Sequence, residues 1–119
     1  MGQESRNIWW WVAGIVVGVL TFAVYAQALS YDFVWDDRSL ILRDVRIRSW
    51  GGVIEAFGSD FFRNSDETVR YGYYRPLITV SYALDFWLWR DDPMGYHLSN
   101  IFAHILCCFG LMRLSRHIG

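Results

Sequence analysis

The sequence predicts an all-α membrane protein, with two transmembrane helices joined by an external loop that carries short interfacial amphipathic helices. Three observations predict this. Apolar residues make up 54% of the chain and gather at its two ends, while charge gathers in the middle. Seven residues are Trp and 18% are aromatic, more large rings than the core of so small a soluble domain could bury. Residues 8–29, IWWWVAGIVVGVLTFAVYAQAL, run without a charge, and a helix needs roughly 20 residues to cross the hydrocarbon core.

The first transmembrane helix is expected over 8–29. Trp9, Trp10 and Trp11 stand at one end and Tyr25 and Tyr31 near the other, where interfacial aromatic belts form. A cleaved signal sequence is the competing reading, with Ala26-Gln27-Ala28 as its cleavage site, but its apolar core is usually about 7–15 residues. The second transmembrane helix is expected over 95–114, GYHLSNIFAHILCCFGLMRL, with Arg113 near its far end. Arg flanks both spans, which places residues 1–7 and 115–119 in the cytoplasm. Residues 30–94 then form a loop on the periplasmic, external or luminal side of a cell membrane.

Within that loop, Ser49 suits the cap of a helix over about 49–62. Trp50, Val53, Ile54 and Phe57 would form its apolar stripe. Residues 63–72, RNSDETVRYG, read as a polar exposed connection. Pro76 suits the first turn of a second short helix over 76–89, too short to span and interrupted by Asp85. Both helices fit the bilayer surface, apolar side down. The formal net charge is −1, so the basic footprint that a nucleic-acid partner requires is missing. Cys107 and Cys108 are adjacent inside the second apolar run, a poor placement for a disulfide or a zinc site.

Three constellations could carry chemistry. Asp36 and Asp37, in YDFVWDDRSL, lie just beyond the first span. Either carboxylate could act as a general base or metal ligand; the plainer alternatives are a helix cap or a pair with Arg38. Tyr74-Arg75-Pro76 sets a guanidinium before a helix N-terminus, which suits a phosphate; ordinary lipid anchoring is the alternative. His97, Asn100 and His104 share one helix face. His97 is close enough to the loop end to reach a substrate, and interhelical hydrogen bonding is the plainer reading for all three.

FVWDD after a first span, then YYRPL, then DPMGYHLSNIFAHIL, in this order over residues 8–114, resemble the N-terminal part of the GT-C fold membrane glycosyltransferases. The likeness is to the branch of the protein O-mannosyltransferases and the transmembrane-and-TPR-repeat mannosyltransferases. The resemblance implies transfer of a sugar from a polyprenyl-phosphate donor to a protein or lipid-linked acceptor at the membrane. Asp36 would act as base on the acceptor, and Asp37 would orient the site or help hold a divalent metal. Arg75 with Tyr74 would bind the donor phosphate, and His97 is a further candidate member. Enzymes of this family have many more spans, so these 119 residues are expected to be a fragment or truncated product, inactive without further helices. The alternative is a small two-span accessory or scaffold protein without catalysis.

Overall fold

The computed structural model describes residues 3–63 and 72–118, with side chains from Asn7 onward; most of the predicted polar connection lies outside them. Four α-helices follow in order: α1 (Gln3–Tyr25), α2 (Trp50–Glu55), α3 (Pro76–Trp89) and α4 (Pro93–Ile118). No strand occurs among the described residues. The chain divides into two compact units, one of residues 1–30 with 97–119 and the other of residues 31–96.

The first unit is a helix pair. Segments Asn7–Ser30 and Pro93–Ile118 are both long and apolar enough to cross a membrane, and only 6% of each apolar window is buried. A core helix of a soluble protein would be mostly covered; these present Ile15, Val19, Leu106 and Leu111 outward. Gly14 allows the pair to close, because a Cβ there would lie 2.6 Å from the Phe109 ring. The Arg116 guanidinium hydrogen-bonds Asn7 Oδ1 and lies 5.6 Å from the Trp10 ring centre. Tyr25 meets His104 edge-on at 5.4 Å. Past Tyr25 the chain tightens into a 3-10 turn, Ala26–Ser30, which ends as the Ser30 hydroxyl donates to the Gln27 carbonyl.

The second unit closes around Phe33, Ile41, Ile47, Val53, Ala83, Phe86 and Tyr96. A wide turn over Arg38–Leu42 buries Leu40 and Ile41, and the Arg43 amide donates back five residues to the Arg38 carbonyl. Asp44 caps the next turn, Val45–Arg48, by accepting from the Arg46 amide. Ser49 caps α2 by accepting from the Gly52 amide at 3.1 Å. Pro76 opens α3, which turns Thr79, Ala83 and Phe86 inward.

Two expected elements differ in the structure. The helix placed at 49–62 ends early: α2 stops at Glu55, a 3-10 turn continues to Gly58, and Ser59 is extended. Beyond that point the Arg46 guanidinium holds the chain through the carbonyls of Asp60 and Phe61 at 2.9 and 2.7 Å. Of the expected apolar stripe only Val53 is buried, while Trp50, Ile54 and Phe57 face outward. The second apolar helix is longer than 95–114. It starts at Pro93, where Asp92 takes the Met94 amide on its side chain and the Gly95 amide on its carbonyl.

Candidate functional site

The acid pair sits on a tightly built loop. The Asp37 amide donates to the Val34 carbonyl at 3.0 Å, and Asp37 Oδ2 accepts from the Val34 amide at 3.2 Å. The Arg38 amide donates to the Trp35 carbonyl, and Arg38 Nε donates to the Phe33 carbonyl. Arg38 is thus engaged with backbone, and no ion pair to Asp36 or Asp37 forms among the described residues. Phe33 anchors the loop from below, buried against the edge of Tyr96 at 5.2 Å. The result is one carboxylate, Asp37, half-buried and fixed by its own loop, and a second, Asp36, turned to the exterior.

Arg75 ends the chain segment before α3, and its carbonyl accepts from the amides of Ile78 and Thr79. Its guanidinium lies over Tyr73 at 5.1 Å and Phe61 at 5.8 Å. Stacking leaves the guanidinium edge free to meet an anion in its own plane. Tyr74 stands exposed beside it. Phe57, Gly58, Ser59, Asp60, Gly72, Tyr73 and Tyr74 line an open groove of about 330 Å³.

The charges of these groups all bear on Tyr82 of α3, a residue that sequence motifs did not point to. Its phenol is raised above the ordinary value of 10.0, first by burial and then by the charges of Asp37, Asp36 and Asp85, while Arg75 pulls it down. The acid pair and the guanidinium therefore act on one point within this unit. Tyr82 lies three residues after buried Thr79 and four before buried Phe86, so helical spacing was the available signal.

His97 belongs to the other unit. There it lines a cavity of about 250 Å³ with Tyr25, Ala28, Asn100, Ile101 and His104. Its Nε2 is buried and unpartnered among the described residues.

The chain is 34% identical over 91 residues to protein O-mannosyl-transferase TMTC3 of Homo sapiens, covering 76% of this chain and 10% of that protein. It is 26% identical over 117 residues to protein O-mannosyl-transferase F38B6.6 of Caenorhabditis elegans, covering 98% of this chain and 16% of that protein. Against protein O-mannosyl-transferase Tmtc1 of Drosophila melanogaster the identity is 28% over 98 residues, 82% of this chain and 11% of that protein. The chain is a relative of the TMTC protein O-mannosyl-transferases. It spans at most about one sixth of the length of these TMTC relatives. No family model matches the chain, and no solved structure matches it.

Among the described residues no three His, Cys, Asp or Glu side chains gather to hold a metal ion.

The Tyr82 environment has a measurable consequence. Because the folded phenol holds its proton above the ordinary value, the unfolded chain releases it first as pH rises past 10.0. Its contribution to stability is constant below that pH and falls as pH climbs through the folded value. Absorbance at 295 nm should show a late-titrating phenol that Tyr82→Phe removes; an unchanged alkaline titration in that variant would contradict the placement.

Proposed function

We propose that this chain is the acid-bearing part of a GT-C type membrane glycosyltransferase that moves a sugar from a polyprenyl-phosphate donor to a protein acceptor. The observation that carries the reading is the likeness over 91 residues to a protein O-mannosyl-transferase, with Asp36 exposed on a loop that the Asp37 carboxylate ties to the Val34 amide. In the reaction, the bond from sugar C1 to the donor phosphate breaks as the acceptor hydroxyl oxygen bonds to C1. Asp36, the exposed carboxylate, takes the hydroxyl proton. Asp37 holds the loop that carries it. Arg75, with Tyr74, meets the charge that stays on the departing polyprenyl phosphate. The polar chemistry would stand on the outer or luminal face of a multi-pass protein, where a lipid-linked sugar has its phosphate at headgroup depth.

Transfer belongs to a longer assembly in this proposal, since the TMTC relatives extend far past the matched residues. The test is a chimaera in which residues 1–119 replace the matching segment of the Homo sapiens TMTC3 relative. Mannosyl transfer to protein should persist in the chimaera. Asp36→Asn should lower it by about 10²–10⁴-fold, the typical contribution of a positioned base, with membrane insertion unchanged. Full activity in Asp36→Asn would remove this residue from the mechanism.

A further inference from the structure

Trp35 combines two features. Its backbone lies at φ +44°, in the left-handed region that aromatic residues avoid. Its side chain is 92% exposed, the highest value among the exposed large apolar residues. The strain is not a sign of looseness, because hydrogen bonds from Asp37 to Val34, from Val34 to Asp37 and from Arg38 to Trp35 and Phe33 hold the loop on both sides. Phe33, two residues earlier, is buried in the core. The loop is therefore built to turn one ring in and the next ring out, with the indole 92% exposed at a conformational cost of its own.

What would receive the indole follows from its position in the chain. The apolar segment ends at Ser30. Five residues of extended chain reach at most about 18 Å, so Trp35 stays within that distance of the end of the apolar segment. Its near neighbours Tyr31 and Val34 are also exposed. An indole has an apolar body with one N–H donor, the combination that partitions to the boundary between headgroups and acyl chains. We propose that the Trp35 indole inserts into that boundary as an anchor and sets the depth of the adjoining Asp36–Asp37 pair. The catalytic meaning of that depth rests on the proposed function; the anchoring itself does not.

The experiment uses the whole chain, labelled with 5-fluorotryptophan, in phosphatidylcholine nanodiscs. Trp35→Phe assigns the Trp35 fluorine resonance by its loss. Dissolved oxygen, which concentrates in the bilayer, should relax that resonance at least threefold more than a water-soluble gadolinium chelate does. Stronger relaxation by the chelate would put the ring in water, and relaxation by neither would put it against protein; either result overturns the proposal. A second measurement tests the depth. A spin label at Asp36→Cys, with Cys107 and Cys108 changed to Ser, should move toward water when Trp35→Asn is added. Asn tolerates positive φ, so the loop keeps its shape while losing the ring. An unmoved label would show that the indole does not set the height of the acid pair. Neither readout depends on sugar transfer, so a failed transferase reading would leave them interpretable.

Discussion

Replacing Arg46 by methionine should unfold the loop unit while leaving the two apolar helices in the membrane. Arg46 is only 2% exposed and Asp44, its partner, 3%. The pair is bidentate, with Nε and Nη2 of Arg46 both on the Asp44 carboxylate at 2.7–3.1 Å. The same guanidinium also donates to the Ser59 hydroxyl and to the carbonyls of Asp60 and Phe61. Methionine matches the stem but removes the guanidinium from a buried carboxylate and from two carbonyls. Breaking a buried pair on one side costs about 3–5 kcal/mol, and a whole small domain is stable by about 5–15 kcal/mol. Loss of tryptic protection across residues 31–96, with membrane association retained, is the expected result. The double variant Asp44→Leu with Arg46→Met should recover part of the loss, since removing both charges leaves neither orphaned. A single variant with wild-type protection would mean that the buried cation contributes little.

Gly52→Ala should be nearly as damaging, and Gly51→Ala should not. Both glycines lie in the first turn of α2. At Gly52 a Cβ would stand 2.5 Å from Arg46 Cα and 2.5 Å from its carbonyl oxygen. These are backbone atoms, so no rotamer change relieves the clash; the helix must move off the segment that holds the buried guanidinium. Overpacking a core costs about 1–3 kcal/mol, and the upper end applies where backbone meets backbone. At Gly51 nothing lies within 4 Å, so alanine there should stabilise by about 0.5–1 kcal/mol through helix propensity alone. Melting midpoints of the loop unit in nanodiscs should therefore move in opposite directions for two adjacent and chemically identical changes. Shifts of the same sign would refute the close approach at Gly52.

Much of the fold could be read locally, and the reasons are visible residue by residue. An uncharged run such as 8–29 marks a long apolar helix without help from any other part of the chain. Ser49 and Pro76 announce the starts of α2 and α3 because capping and proline geometry are local effects. Arg46 was invisible for the opposite reason. In RDVRIRSW it looks like a solvated cation, and what makes burial tolerable comes from Ser59, Asp60 and Phe61, 13 to 15 residues later. The extended chain at Ser59 lies at the same long-range contact and was equally hidden. At the candidate site, Asp36, Asp37 and Arg75 declared themselves by residue type and motif. That their charges all bear on Tyr82 needed the tertiary structure, because nearly forty residues separate the acids from the arginine.

The outward faces of α2 and α3 carry Trp50, Ile54, Leu77 and Leu88, each about 70% exposed. Such a surface is ordinary against acyl chains and unfavourable in bulk water. Residues 31–96 would therefore make a poor excised domain: cut free of the apolar helices, the segment would precipitate in buffer, and its purification calls for detergent even though its described residues include no complete span.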